Sequence, residues 1–104
     1  MDTPKSEALR LANDVRRELG LSPQPRLTEG MRDIPDHCPL ARTVRAEAER
    51  ISVTVGGGDI SVWVGTLETI GEPDHVFAVT PGGARFIIDF DLGLYPELVT
   101  EPGR

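Results

Sequence analysis

The chain has one cysteine, Cys38, which follows His37 and stands directly before Pro39, where a proline-rich segment gives way to a helical pattern. A thiol at the start of a helix feels the backbone amides and the positive end of the helix dipole, which lower its pKa and favour the reactive thiolate. The same position also suits a small side chain that packs in the core, because free cysteines are among the most buried residues. A nucleophile needs a base, and His37, as the adjacent residue, points in a different direction. We therefore predict a structural role for Cys38 and keep a reactive thiol as the alternative.

Several residues in and beyond this loop are of types that bind metals. A structural zinc site normally uses two or more Cys or His pairs at fixed spacing, and the chain has no such pairs. We therefore interpret these residues as solvated charges and expect no metal and no cofactor. His75 is the other candidate base for Cys38, but the sequence does not bring the two side chains together. The candidate ligands are Asp33, Asp36, His37, Cys38 and His75.

The charge of the chain is divided unevenly. The 104 residues carry a net charge of -6, with nine acids and nine bases in residues 1–50 but eight acids against two arginines in residues 51–104. An acidic half repels phosphate, so we do not expect nucleic-acid binding. The length of the chain allows one domain. Hydrophobic residues make up 38% of the chain and aromatic residues only 5%, which predicts a thin, aliphatic core.

The sequence also bears on the compartment. No apolar stretch approaches the ~20 residues that cross a bilayer, and the first residues lack the basic start and apolar run of a secretory signal. A lone cysteine cannot form an internal disulfide. We expect a cytoplasmic protein without a membrane partner.

Helix signals come first along the chain. Thr3 and Pro4 provide an N-cap and a first-turn proline, and an apolar stripe predicts a helix over 4–19 that Gly20 ends. Three prolines then indicate an arm over 21–37. The polar residues of the first helix are expected on its solvated surface: Arg10, Asp14, Arg16, Arg17 and Glu18.

A second helix is predicted from Pro39 to near Arg50, because apolar residues recur every three or four positions. A third is predicted over 81–92, although its "RFIIDF" segment would also suit a strand and two glycines weaken the helical pattern. The tail over 95–104 is expected to be irregular.

Between the later helices the apolar pattern alternates. Residues 51–55 and 60–64 alternate around Gly56-Gly57-Gly58-Asp59, which predicts a β-hairpin. Residues 75–79 predict a third antiparallel strand. The glycine run lacks the Lys-Ser/Thr of a phosphate-binding loop, so it is read as a turn. The predicted fold is a single α+β domain, in which two N-terminal helices and one late helix pack on one face of a three-stranded antiparallel meander.

Two segments, "HCPLARTV" at 37–44 and "PGGARFIIDFDLG" at 81–93, resemble a group of small uncharacterised proteins of phages, prophages and actinobacteria. The resemblance covers about a quarter of the chain and brings no assigned activity. It implies a small phage-type accessory protein and supports a helix over 81–92. The matching residues are Cys38, Pro39, Leu40 and Ala41, then Pro81, Ala84, Arg85, Phe86, Ile87, Phe90 and Asp91.

We expect this protein to bind another protein, or itself, and not to act as an enzyme. Trp63 points away from Ile60, Val62 and Val64, so if helices cover those aliphatic residues Trp63 lies on the open face of the sheet, where aromatic residues often anchor interfaces. The arm over 21–37 could instead cover it. The acids proposed to contact a partner, together with Trp63, are Glu68, Glu72, Asp74, Asp89 and Asp91.

Three alternatives to simple protein binding stay open. With Glu97 and Glu101, the same acids could mimic nucleic acid and occupy a basic cleft of a host or defence protein. Arg42 and Arg45, with Arg50, could instead contact DNA, although glutamates interrupt this face. A redox or nucleophilic enzyme would depend on Cys38.

Overall fold

Three helices and a three-stranded antiparallel sheet form the computed structural model of the protein, which confirms the predicted α+β fold. The structure describes residues 3–32, 34, 37–48, 50–56, 58–65 and 71–99. The helices are α1 (Pro4–Glu18), α2 (Pro39–Arg45) and α3 (Pro81–Asp91), and a short 3-10 helix covers Pro96–Leu98. The strands are β1 (Ile51–Gly56), β2 (Asp59–Val64) and β3 (His75–Ala78), in the order β1-β2-β3.

α1 and α3 begin in the same way, with a threonine cap followed by proline. The Thr3 hydroxyl accepts a hydrogen bond from the Ser6 amide at 3.1 Å, and the Thr80 hydroxyl accepts one from the Gly83 amide at 3.1 Å. Each cap satisfies an amide that has no partner inside the helix. Both predicted helices are confirmed, and the 81–92 segment is not a strand.

The two glycines of α3 allow it to pack closely on α1. A side chain at Gly82 would collide with Glu7, and a Cβ at Gly83 would lie 2.7 Å from Cδ2 of Leu11. Glycine costs a helix about 1 kcal/mol relative to alanine, but a larger residue at either position would force the side chain of Glu7 or Leu11 to move. The close packing of α1 on α3 therefore explains residues that weaken the local helical pattern.

α2 is shorter than predicted, because it ends at Arg45 and not near Arg50. Ala46 is already extended, with ψ of 133°, and Glu47 has a left-handed φ of 61°. The apolar spacing beyond Arg45 therefore does not belong to the helix. It marks the start of the sheet.

The end of α2 is held by Arg16, a residue of α1. Its Nη1 donates hydrogen bonds to the carbonyls of Thr43, Val44 and Ala46 at 3.1, 2.9 and 2.7 Å, and its Nε donates to the carbonyl of Ser22 at 2.6 Å. The last carbonyls of a helix need donors from outside it, and this guanidinium supplies them. The prediction that Arg16 lies on the solvated surface is therefore wrong: the residue is only 2% exposed.

The helices cover one face of the sheet. β1 pairs with β2 from Ile51↔Val64 to Gly56↔Asp59, which places Val53 opposite Val62 on the covered face. Side chains of α1 and α2, with partly buried Ile87 of α3, pack on this face. The strand residues buried in this core are Val53, Val55, Ile60 and Val62.

A second core cluster joins α1 and α3 to the arm and the C-terminal segment. Leu27 of the arm and Leu98 are each 6% exposed and pack with Phe86 and Phe90. Gly30 donates to the carbonyl of Leu98 at 2.7 Å and forms a bridge with Val99. Residues 95–99 are therefore more regular than the predicted irregular tail, while the rest of that tail lies outside the described residues.

The described part of the arm over 21–37 packs along α1 and α2. Asn13 of α1 exchanges two hydrogen bonds with the backbone of Gln24, at 3.0 and 2.8 Å, and the Thr28 amide donates to the Thr43 hydroxyl at 2.8 Å. These contacts, with Leu27 in the core, place the arm on the helical side of the molecule.

None of the described helices has the length and apolar composition needed to span a bilayer.

The role of Arg16 can be tested by comparing Arg16→Met with Arg17→Met. We expect Arg16→Met to lower the free energy of unfolding by about 3 kcal/mol, because each buried carbonyl left without a donor costs about 1–3 kcal/mol. Arg17 is the matched control: its side chain is 75% exposed and pairs with Asp14 at 2.9 Å, so its loss should cost less than about 1 kcal/mol. Urea unfolding followed by circular dichroism measures both changes, and equal losses would contradict the capping role.

Candidate functional site

Cys38 is the N-cap of α2 and part of the core. Its Sγ accepts a hydrogen bond from the Ala41 amide at 3.4 Å, and the residue is 5% exposed. Gly30 lies so close that a side chain there would collide with the backbone around Cys38 and Pro39. The thiol thus begins a helix beneath the arm, in the position predicted for a structural residue.

The pKa of Cys38 moves in the direction opposite to that of an activated thiol. Burial raises the pKa of the thiol, the amides of Ala41 and Leu40 oppose this shift, and the negative charge of Asp91 adds to it. The lowered pKa expected from the helix start is therefore wrong, because desolvation of the thiolate outweighs the amides of a seven-residue helix. The neutral thiol that results is a weak nucleophile.

Among the residues that the structure describes, those considered with Cys38 are not grouped as a metal site. His75 begins β3, where it is exposed and stacks on Phe77 at 6.1 Å between ring centroids. His37 is held in a turn through its amide, which donates to the carbonyl of Ile34 at 2.9 Å. Within the described ranges, no three His, Cys, Asp or Glu residues are grouped to hold a metal ion. Asp33 and Asp36 lie outside the described residues, so metal binding by these two loop residues is not tested by the structure.

The arginines suggested for DNA contact do not share one helical face. Arg50 lies beyond the end of α2, so the predicted row of three arginines is reduced to Arg42 and Arg45. Arg42 lines a cavity of about 710 Å³ between α2 and the arm, together with Glu29 and Glu97. Acidic groups in the same cavity disfavour a phosphate backbone.

The acids proposed to contact a partner lie in different surroundings. Asp89 is only 7% exposed, and Arg85 Nε lies 3.1 Å from its Oδ1 and donates to its Oδ2 at 3.2 Å. The prediction that Asp89 lies on the surface to contact a partner is wrong, because its carboxylate is buried and paired with Arg85 of the same helix. Asp91 is half-buried.

Only part of the proposed acidic set remains available at the surface. Glu72 and Asp74 are exposed immediately before β3. Glu97 forms an ion pair with Lys5 at 3.1 Å, and hydrogen bonds from its own backbone amide and from Lys5 lower its pKa. Glu68 and Glu101 lie outside the described residues. The described acids therefore do not act together as one strip of negative charge.

One face of the sheet is not covered by any of the described helices. It belongs to neither hydrophobic cluster, and the described part of the arm packs elsewhere. Its residues are paired across the strands as Ser52↔Trp63, Thr54↔Ser61 and Ser61↔Val76. We call this surface the open face, and its residues are Ser52, Thr54, Ser61, Trp63, Val76 and Ala78.

Trp63 and Val76 give the open face its apolar character. Trp63 is half-buried, and its indole N–H donates to the carbonyl of Gly71 at 3.2 Å, which holds the indole towards Gly71. Val76 is 56% exposed. Serine and threonine alone would be ordinary for a solvated sheet face, but the indole and valine add exposed apolar area.

Acidic residues border the open face at both ends. Asp59 is exposed and lies at the start of β2, opposite Ala78 of β3. Glu72 and Asp74 are exposed at the other end, where the Asp74 carboxylate accepts a hydrogen bond from the Val64 amide at 2.7 Å. Residues 51–84 contain no Lys or Arg. The surface is therefore apolar and hydroxyl-rich at its centre and negative at its ends.

Val76, Ala78 and Asp59 were not among the residues predicted for a site. Their alternation within 75–79 and 59–64 is visible in the sequence, but the face that they share with Trp63 depends on strand register. A shift of one residue would move Val76 and Ala78 to the covered face.

Comparisons with known proteins add no relative. No protein-family model, no curated protein and no solved structure matches this chain.

The buried thiol makes a prediction about pH. An unfolded thiol titrates near its ordinary pKa of about 8.5, whereas the folded pKa of Cys38 is raised. The neutral thiol thus stabilises the fold below about pH 8.5, and this contribution is lost as the pH rises through the folded pKa. Cys38→Ser keeps a capping oxygen but does not titrate in this range.

We expect the free energy of unfolding of the wild type to fall relative to that of Cys38→Ser as the pH rises above about 8.5. Urea titrations under reducing conditions measure both proteins, and parallel pH profiles would rule out this coupling. In the same samples, iodoacetamide near neutral pH should label the folded thiol far more slowly than the urea-unfolded one. Rapid labelling of the folded protein would restore the reactive-thiol alternative.

Proposed function

We propose that this protein acts by binding another protein through the open face, without catalysis. The observation that carries the proposal is the placement of all three helices on one side of the sheet, which leaves Trp63 and Val76 on the other. Large aromatic residues in such positions supply much of the binding energy of protein interfaces. The buried, neutral Cys38 gives no support to a catalytic role.

The charges around the open face indicate the chemistry of the partner. Asp59, Glu72 and Asp74 would meet its rim, so a partner with an apolar centre and peripheral Lys or Arg is complementary. A second copy of this chain is a poorer partner, since it would bring the same acidic ends to the contact and carries the same net charge of -6. We therefore favour a different, basic protein over self-association.

A role as an acidic mimic of nucleic acid has less support. Asp89 is buried and Glu97 is paired with Lys5, so two of the acids on which that role depends are occupied within the fold. A small accessory protein of phage type is consistent with protein binding, and this context stays a proposal carried by the resemblance of two segments.

The proposal predicts that Trp63→Ala weakens partner binding. A protein recovered with the wild-type chain would be identified, purified and titrated directly. We expect the dissociation constant to rise by about 30-fold for Trp63→Ala, as for an interface hot spot. Leu92→Ala is the matched control, because Leu92 is a 71% exposed apolar residue that caps the C-terminal end of α3, away from the open face; it should change the dissociation constant less than about twofold.

Two results would contradict this function. One is equal affinity of Trp63→Ala and wild type for the purified partner. The other concerns self-association: light scattering should give the monomer mass of 11.3 kDa for the wild type. A dimer that Trp63→Ala dissociates would instead assign the open face to a second copy.

A further inference from the structure

β3 is an edge strand whose outer backbone groups have no described partner. The sheet order is β1-β2-β3, and no further described strand pairs with β3. The amide of Val79 donates to the carbonyl of Gly58 at 2.8 Å, in the same register as the pairs Ser61↔Val76 and Asp59↔Ala78. This hydrogen bond shows which β3 residues direct their backbone N–H and C=O groups towards β2 and which direct them outward.

Hydrogen-bonded and non-hydrogen-bonded pairs alternate along an antiparallel ladder. Since Gly58 and Val79 form a hydrogen-bonded pair, the next pair, with Ala78, is not hydrogen-bonded, and neither is the pair with Val76 two positions further. The backbone N–H and C=O of Val76 and Ala78 therefore point away from β2. They form a row of donors and acceptors at the free edge.

Proteins usually protect such edges with Lys, with proline or with a bulge. β3 reads His75-Val76-Phe77-Ala78 and contains neither Lys nor Pro. Val76 and Ala78, whose backbone groups face outward, also present their side chains on the open face. The free edge and the open face therefore meet at Val76 and Ala78 and form one continuous surface.

We propose that the partner contributes an extended segment bearing Lys or Arg, which pairs with β3 as a fourth strand. This inference rests on the proposed binding role of the open face. The backbone of Val76 and Ala78 would supply the pairing, as in other cases of strand addition. Alternate side chains of the added strand would contact the open face next to Val76.

Charge complementarity selects a basic segment. Asp59 lies beside one end of β3, and Glu72 and Asp74 precede the other end. No Lys or Arg occurs in residues 51–84 to offset them. Acidic side chains on an added strand would meet like charges at both ends, and those of a second copy would do the same.

The probe for this inference is a blocked peptide of about eight residues, a typical strand length, in which Lys and Val alternate. Trp63 is the sole tryptophan of the chain and lies on the open face, so its fluorescence reports binding directly, and calorimetry measures binding by Trp63→Ala, which lacks this signal. A peptide alternating Glu and Val is the charge control. A Lys/Val peptide with alternate backbone amides methylated is the pairing control, because it keeps the side chains and loses donors.

Val76→Pro removes the outward N–H without removing a hydrogen bond to β2, so the sheet should tolerate it at an edge. Val76→Thr is the matched control, since it keeps the N–H and the β-branched shape. We expect the Lys/Val peptide to bind the wild type and the Glu/Val peptide not to bind. Val76→Pro should weaken binding at least tenfold, and Val76→Thr should change it less than threefold. Methylation of the peptide should also weaken binding to the wild type at least tenfold, so the pairing is tested even if Val76→Pro fails to fold.

The outcomes separate this inference from the function on which it rests. Failure of the Lys/Val peptide to bind, or equal binding of the Glu/Val peptide, would overturn the basic segment. Unchanged affinity for both Val76→Pro and the methylated peptide would overturn strand addition. If Trp63→Ala still weakened binding in that case, the open face would remain the binding surface. If Val76→Pro weakened binding and Trp63→Ala did not, the edge would bind without the open face.

Discussion

Arg16 connects α1, the beginning of the arm and the end of α2 through four hydrogen bonds to backbone carbonyls. Burial lowers its pKa and the charge of Glu47 opposes that shift, but a guanidinium stays charged at any ordinary pH. A buried cation must be hydrogen-bonded to be tolerated, and carbonyls at the end of a helix must find donors. The two needs meet at one point, where the chain leaves α2 and enters the sheet.

The position of that turn determines what the sheet can present. α2 ends at Arg45 and β1 begins at Ile51, and the helices lie together over the covered face of the sheet. Cys38 is enclosed in the same layer, which explains why its pKa is raised despite its place at a helix start. The thiol that the sequence suggests as a reactive group is thus enclosed in the core, and Trp63 and Val76 lie on the opposite side of the sheet.

Local signals were sufficient for most of the fold. Thr3 and Thr80, each followed by proline, begin helices as predicted, and the alternation around Gly58 becomes a hairpin. The same local reasoning placed Arg16 and Asp89 on the surface, where charged residues normally lie. It could not anticipate the burial of Arg16, because the carbonyls of Thr43, Val44 and Ala46 that it binds lie 27 to 30 residues further along the chain.

By itself, the sequence determined the helices, the strands, the one-sided apolar pattern and the acidic character of residues 51–104, because propensity, periodicity and charge belong to neighbouring residues. Tertiary structure alone decided the end of α2, the neutral state of Cys38 and the surface shared by Trp63, Val76 and Ala78. Each of these depends on contacts between segments far apart in the chain: a guanidinium reaching another helix, desolvation by a folded core, and the register of two strands. Short-range patterns contain no information about such distances, so these features appear only when the chain is folded.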